Sequence, residues 1–345
     1  MKVIFILLLT MIVAPIASAE LGGKKVIFVH GLQIDDINPF VANDIREGAI
    51  EQAGPVLGNI VDEYLLYDSA KRLQENATAL HDQIKAFEQR GLCSEGCYFV
   101  TGSTGDLVTR YVISRLNQWG VDQDKFSILL SFDIVGAGGG TELADVAVSI
   151  VQGNKLSRLL MNAISKAFLG IKINPSTTLG IVNDLRPGIA RRIARGQYDV
   201  PRLRIAAGGE TFLVSRFFIS GRDDGMVPLH SACGSARAEA INSCAQKINI
   251  DGRIAKSDAP RTLQYNHFPI IMASDMSHTQ IDYSGKLVAV NNNTVFTDTA
   301  SGTIRYSVKE KRRTTGFWRF KKHYRTIDKP KGQLAIAFFI EEFDQ

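Results

Sequence analysis

The sequence predicts an α/β fold, with a mainly parallel sheet and helices on both of its faces. Short apolar runs alternate with longer amphipathic stretches along most of the chain. The run Val26–Val29 ends at a His-Gly turn, which is typical of a fully buried parallel strand. Hydrophobic residues make up 45% of the 345 residues and charged residues 22%, which excludes a disordered chain and provides for a large core.

The elements follow one another as strand, helix, strand. Helices are predicted over about 39–53, over 70–90 and directly after Gly105. In the second of these, the apolar residues recur at three- and four-residue steps, as one buried helix face requires. The predicted strands are Val26–Val29, Glu63–Tyr67, Cys97–Val100, Ser127–Phe132, Phe217–Ile219 and, last, Phe268–Met272. Strands that alternate with helices imply a parallel sheet.

Two regions break this alternation. Residues 141–197 carry no strand pattern and predict a helical insertion, placed where a lid or a cap could lie. Its apolar residues between 156 and 169 recur at helical steps, so they could also pack permanently on the core. The second region is a C-terminal extension, residues 283–345, in which Arg305–Lys331 holds eleven Lys or Arg and two acids. We expect a β-hairpin or short strands in Arg305–Lys331, and we expect the main domain to cover residues 20–282.

The first residues predict export. Lys2 precedes the apolar run Val3–Ala14, and Ala17–Ala19 reads Ala-Ser-Ala, so residues 1–19 have the pattern of a signal peptide. The apolar run is shorter than the ~20 residues that span a bilayer. We expect cleavage near Ala19 and an exported chain, with a retained N-terminal anchor as the alternative.

The four cysteines fit an oxidising compartment. Cys93 lies four residues from Cys97, and Cys233 lies eleven from Cys244, so each pair could close a local loop. Four cysteines allow three connectivities, and the pairing stays open from the sequence alone. No clustered His or Cys-x-x-Cys accompanies them, so zinc is not expected.

A nucleophile is predicted at a turn between a strand and a helix. Residues Thr101–Gly105 read T-G-S-T-G, with small residues two before and two after Ser103. This context exposes a serine where strand and helix backbones approach closely. The free N–H groups of the helix start favour negative charge beside it. A Gly-Ser turn that caps a helix without chemistry is the alternative.

Five segments, in this order, resemble those of bacterial α/β-hydrolase lipases. They are Val29–Leu32, Ser103–Tyr111, Gly138–Asp145, Asn183–Gly188 and Gly221–Pro228. The resemblance covers about residues 24–282 and implies the α/β-hydrolase fold with hydrolysis of carboxylic esters, most of all of lipids. It also implies a catalytic triad in the chain order Ser, acid, His.

The sequence departs from the lipase pattern at several positions. Thr101 replaces the first glycine of the motif, and Gly102 stands where these lipases usually have histidine. Asp106 stands where a second glycine is common, and Ala137-Gly138 replace a Pro-His pair. We expect these changes to affect the substrate and the rate more than the fold.

The resemblance selects the triad acid, whereas the base is chosen by its position relative to the predicted last strand. It places the acid directly before Gly-Met-Val-Pro, which is Asp224, with the adjacent Asp223 as the alternative. His278 follows the carboxyl end of the predicted last strand, the usual place for the base. His267 precedes that strand and stays the alternative.

The remaining expectations concern the oxyanion, cofactors and partners. Thr104 directly follows the predicted nucleophile, and its N–H is expected to donate to the oxyanion. The resemblance suggests the N–H of Leu32 as the second donor. The triad mechanism needs no cofactor. Calcium is not expected either, because the resemblance places Gln280 where related lipases have a calcium-binding carboxylate.

The substrate would be a lipid or a small ester, and Arg305–Lys331 could bind an anionic membrane surface rather than nucleic acid. The sequence indicates no oligomeric state. A phospholipase or acyltransferase with the same triad is one alternative function, and an inactive exported binding protein of this fold is another.

Overall fold

A seven-stranded sheet organises the chain in the computed structural model. In chain order its strands are β1 (Lys25–Val29), β2 (Glu63–Leu65), β3 (Cys97–Gly102), β4 (Ile128–Ile134), β5 (Arg202–Ala207), β6 (His267–Ala273) and β7 (Leu287–Ala289). They lie in the order β2-β1-β3-β4-β5-β6-β7, and β7 alone among them runs antiparallel to its neighbour. The mainly parallel sheet confirms the predicted fold class.

The structure describes part of the chain. The described residues are 23–33, 44–152, 178–193, 200, 202–207, 218–221, 223–234, 237–239, 267–273, 277–278, 287–289, 294–298, 302–306, 310–315, 318 and 322–327. The predicted signal peptide lies outside them. No helix within these ranges combines the length and the apolar character needed to cross a membrane.

The helices connect the strands and cover the core. They are α1 (Ile45–Gly58), α2 (Leu73–Gln89), α3 (Gly105–Ile113), α4 (Glu142–Val151), a 3₁₀ segment at Gly180–Asn183, α5 (Pro187–Ile193) and α6 (Leu229–Ala232). On α2, the residues Leu73, Leu80, Ile84 and Phe87 are buried, as their helical spacing predicts. Each such side chain contributes ~1.5–3 kcal/mol on burial, so this face fixes α2 on the sheet.

The first helix is described from Ile45 onward. Among the described residues α1 starts at Ile45, because the Asp44 side chain caps it by accepting the N–H groups of Arg46 (2.8 Å) and Glu47 (3.2 Å). The helix extends to Gly58 with a kink at Gly54-Pro55, five residues beyond the predicted end. The part predicted at 39–43 lies outside the described residues.

The predicted fifth strand is wrong. Phe218 and Ile219 lie in a turn, and Phe217 lies outside the described residues. The fifth strand is instead β5, in which Arg202 and Arg204 interrupt the apolar pattern. Both arginines are buried beside carboxylates of other elements, a compensation that the local sequence does not reveal.

The described ends of the insertion are packed on the body of the domain. The Thr141 hydroxyl donates to the carbonyl of Met226 (2.6 Å), and Asp184 pairs with Arg72 (2.6 Å) and accepts the N–H of Leu73 (2.8 Å). Thr141 and Asp184 therefore tie these two segments to the rest of the domain. The apolar residues at 156–169, which could form a lid, lie outside the described residues.

Cysteine pairing and the tail follow the sequence as far as they are described. Cys93 and Cys97 form a disulfide, and Cys233 is also disulfide-bonded, while Cys244, with which it could close a local loop, lies outside the described residues. The tail holds two antiparallel hairpins, formed by β8 (Thr294–Asp298) with β9 (Gly302–Tyr306), and by β10 (Glu310–Thr315) with β11 (Lys322–Ile327). The second confirms the hairpin expected among the basic residues.

Candidate active site

Ser103, His278 and Asp224 form one hydrogen-bonded chain. The Ser103 hydroxyl lies 2.9 Å from Nε2 of His278, and Nδ1 of His278 lies 2.8 Å from a carboxylate oxygen of Asp224. Because an ionised carboxylate can only accept, Nδ1 carries the proton and Nε2 accepts from the serine. Asp224 is buried, and the His278 side chain is 10% exposed. A serine, a base and an orienting acid are thus in the arrangement that activates a nucleophile.

The turn after β3 presents Ser103. The residue has φ of 50°, in the left-handed region that costs a non-glycine residue ~1–3 kcal/mol. Its N–H donates to the carbonyl of Ile134 (3.0 Å), which holds the strained residue at the carboxyl end of the sheet. Gly105 then permits α3 to start against β1, because a Cβ there would lie 2.2 Å from the carbonyl oxygen of Val29.

The loop after β5 separates the roles of the two adjacent aspartates. Asp224 uses one oxygen for His278 and accepts the N–H groups of Met226 (2.9 Å) and Val227 (2.7 Å) on the other. Asp223 instead accepts the N–H of Gly225 (2.7 Å) within its own turn. The geometry therefore fits Asp224 as the orienting acid.

His278 is held by its backbone as well as its ring. Its N–H donates to the carbonyl of Asp224 (2.9 Å), so the two residues are joined twice. His267 is the first residue of β6 and is paired with Arg202, the first residue of β5, whereas Ser103 follows the opposite, carboxyl end of β3. His267 and Ser103 therefore lie at opposite edges of the sheet.

The loop after β1 lies against Ser103. A Cβ at Gly31 would lie 3.3 Å from Cβ of Ser103. Gln52 on α1 holds the loop with two hydrogen bonds: its side-chain oxygen accepts from the N–H of Gly31 (2.7 Å), and its side-chain nitrogen donates to the carbonyl of Leu32 (3.3 Å). In the described part of the chain, no hydrogen bond uses the N–H of Leu32 or that of Thr104. Both predicted oxyanion donors therefore remain free to bind a ligand.

His30 supports this loop. Its ring is fully buried and stacks on Tyr67 with 4.1 Å between ring centroids. The Tyr67 hydroxyl lies 2.8 Å from the carbonyl of Gly31 and 3.1 Å from that of His30. The sequence analysis missed Gln52 and Tyr67, since only the fold brings them to the loop.

A buried charge cluster lies beyond the turn that carries Ser103. Asp106 pairs with Arg202, which also donates to Asp133 (3.0 Å), and Arg204 lies 3.7 Å from Asp133. Burial by itself would raise the pKa of Asp133, but the charges of Arg202 and Arg204 outweigh it and lower the pKa below its usual value. Burial lowers the pKa of Arg110, which lies beside this cluster, to about 9. No sequence motif marked Asp133, Arg202 or Arg204.

His230 has a structural role nearby. The buried ring accepts from Arg191 on Nδ1 (2.8 Å), since a guanidinium can only donate, and so donates from Nε2 to Glu142 (2.8 Å). This chain ties α4 and α5 to α6. No group of three His, Cys, Asp or Glu side chains suited to a metal ion occurs among the described residues.

Together, the strand order, the turn after β3 and the chain order Ser, Asp, His are those of the α/β-hydrolase fold. No family model and no curated protein sequence matches the chain. Among solved structures, the mature lipase BlEst2 of Bacillus licheniformis shares 18% identity over 61% of this chain and 78% of that chain, with a TM-score of 0.40.

Two further structures are similar to a comparable degree. Lipase 1 from Pelosinus fermentans shares 13% identity over 75% of this chain and 93% of that chain, with a TM-score of 0.39. Phospholipase PlaB from Legionella pneumophila shares 15% identity over 61% of this chain and 45% of that chain, with a TM-score of 0.36. Because identities and TM-scores are low, the assignment of the site depends on its own geometry.

Proposed function

We propose that the protein is a serine hydrolase that cleaves carboxylic esters through a Ser103–His278–Asp224 triad. The observation that carries the proposal is the continuous hydrogen-bonded chain from the Ser103 hydroxyl through His278 to buried Asp224. An exported binding protein that only kept the fold would have no need of a strained serine aligned with a base and an acid.

The reaction follows from the positions of these groups. As Oγ of Ser103 attacks the acyl carbon, Nε2 of His278 takes the hydroxyl proton, and Asp224 stabilises the imidazolium. The N–H groups of Leu32 and Thr104 bind the oxyanion. The alcohol leaves with the proton from His278, and an acyl-enzyme remains. Water then attacks this ester with His278 as base, which releases the acid and restores the serine.

We further propose that the chain is exported and acts on lipid esters. The Cys93–Cys97 disulfide and the signal-peptide pattern of residues 1–19 support an oxidising compartment. The lipase-like segments support lipid esters as the substrate class. The basic residues of Arg305–Lys331, which include β10 and β11, would bring the enzyme to an anionic membrane surface.

The proposal is tested by hydrolysis of nitrophenyl esters of increasing acyl length. Ser103→Ala is expected to lose activity by a factor on the order of a million in kcat, as for the loss of a triad nucleophile elsewhere. Ser94→Ala, a change in an exposed loop, is the matched control and should keep parental activity. Parental activity in Ser103→Ala would contradict the mechanism, and acyl transfer to an added alcohol in preference to water would indicate an acyltransferase.

A further inference from the structure

We propose that Asp106 is a positioning residue for Ser103, and that Thr101, Asp106 and Gly138 form one matched set with this purpose. The proposal rests on the function proposed above, since it concerns how the nucleophile is held. These are three of the positions at which the sequence departs from the lipase pattern.

The backbone of the loop after β4 holds the nucleophile on two sides. The N–H of Ser103 donates to the carbonyl of Ile134 (3.0 Å), and the carbonyl of Ser103 accepts the N–H of Ala137 (2.8 Å). The same carbonyl accepts the N–H of Asp106 (3.2 Å). A shift of residues 134–138 would therefore move Ser103 itself.

The Asp106 carboxylate fixes this loop at the next residue. Its Oδ2 accepts the N–H of Gly138 (2.9 Å), and it is 1% exposed. A Cβ at Gly136 would lie 2.6 Å from this oxygen, and one at Gly138 would lie 2.3 Å from it. The carboxylate therefore occupies the space that a side chain would need, and glycine is required opposite it.

The second oxygen of the Asp106 carboxylate belongs to a chain of hydrogen bonds that leads back to β3, the strand directly before Ser103. Oδ1 of Asp106 accepts from Arg202, whose Nε donates to Asp133 (3.0 Å). Asp133 also accepts the hydroxyl of Thr101 (3.0 Å), which is fully buried two residues before Ser103. These hydrogen bonds connect the loop after β4 with α3, β5, β4 and β3, which surround Ser103. Thr101, which replaces the first glycine of the motif, makes the hydrogen bond that completes the chain.

The variant Asp106→Asn tests the proposal with little change in shape. Both carboxylate oxygens face donors, the N–H of Gly138 and the Arg202 guanidinium, but an amide offers a single acceptor oxygen and turns its NH₂ toward one donor. We expect kcat on a soluble ester to fall about 10- to 100-fold, as for a misplacement of up to about 1 Å. KM should stay within about twofold, because the substrate contacts are unchanged.

Asp184→Asn is the matched control. Asp184 is 2% exposed and also faces donors on both oxygens, from Arg72 on one and the N–H of Leu73 on the other. Among the described residues its hydrogen bonds and ion pair go to Arg72, Leu73 and Ile181 and not to the loop at 134–138, so its variant should lose stability and keep the parental kcat. If Asp106→Asn does not fold, Thr101→Val takes its place, because it removes one hydroxyl from the chain and no charge.

Hydrogen exchange separates this proposal from the proposed function. Exchange of the amide protons of residues 134–140 should speed up in Asp106→Asn or Thr101→Val, and should stay parental in Asp184→Asn. Unchanged exchange, or a parental kcat in a folded variant, would overturn the positioning role. If the parent protein does not hydrolyse esters, the proposed function fails, whereas the exchange comparison still decides whether Asp106 holds the loop.

Discussion

Replacing Gly105 by alanine is expected to displace the start of α3 and to slow the reaction of Ser103. A Cβ at this position would lie 2.2 Å from the carbonyl oxygen of Val29 and 2.7 Å from that of His30. Both atoms belong to the backbone, and the first belongs to β1, which pairs with β2 on one side and β3 on the other. The helix start must therefore give way rather than the strand.

The size of the displacement follows from these distances. The shortest common contact between a carbon and a carbonyl oxygen is about 3.3 Å, so the gap at Gly105 must widen by about 1.1 Å (3.3 − 2.2). A misplacement of about 1 Å can cost about 100-fold in rate. Overpacking of this kind costs ~1–3 kcal/mol of unfolding free energy, and each 1 kcal/mol lowers the Tm by ~2–4 °C for a domain of this size.

Gly102→Ala is the matched control, because it changes the neighbouring glycine on the other side of the nucleophile. A Cβ at Gly102 would meet nothing within 4 Å. Tm and the second-order rate of labelling by a fluorophosphonate should both fall in Gly105→Ala, and both should stay near parental in Gly102→Ala. Equal Tm and labelling rate in the two variants would refute the close approach of α3 and β1.

The remaining predictions concern the acid, the buried charges and the tail. Asp224→Asn should lower kcat by a factor of about 10⁴, because the asparagine would hold His278 in the wrong tautomer. Asp223→Asn should lower kcat far less. Steady-state kinetics measures both losses, and equal losses would contradict the assignment of Asp224 as the acid. Because the pKa of Asp133 is lower in the fold than in the unfolded chain, its ionised carboxylate stabilises the fold above about pH 4, and this stabilisation is lost as the pH falls further. The urea midpoints of unfolding at pH 5 and pH 3 should therefore differ more in the parent protein than in Asp133→Asn. Equal differences would mean that Asp133 is not ionised in the fold. Binding to anionic vesicles, but not hydrolysis of a soluble ester, should weaken when three basic residues of the tail become glutamine: Lys321, Lys322 and Arg325. Neutral vesicles are the control for this measurement. Unchanged binding of the triple variant to anionic vesicles would contradict a membrane role. Loss of soluble-ester hydrolysis in that variant would show that the tail is structural.

Much of the fold could be predicted because its signals are local. The buried strands β1, β3 and β4 are short apolar runs, and the turn at Ser103 carries small residues at fixed offsets. The residues proposed as base and acid could be located relative to a strand end and a turn. Their catalytic roles stay predictions, although the structure brings Ser103, His278 and Asp224 together.

The parts that sequence reasoning missed depend on contacts between distant segments. β5 escaped prediction because Arg202 and Arg204 look like surface residues until Asp106 and Asp133 are brought beside them from other elements. The resemblance selected Asp224 over the adjacent Asp223, but the different hydrogen bonds of the two side chains are set by the loop that carries them and could not be predicted from the sequence. The same holds for the loop after β1, whose supports come from α1 and from the segment after β2.

Covalent labelling tests the central claim most directly. The parent protein would be treated with a fluorophosphonate, which loses fluoride as the nucleophile bonds to phosphorus, and analysed by mass spectrometry of the intact chain and of its peptides. We predict one adduct per chain, located on Ser103, together with loss of ester hydrolysis, and no adduct in Ser103→Ala. Ester hydrolysis that continues without an adduct on Ser103, or an adduct on another residue that abolishes activity, would contradict the account.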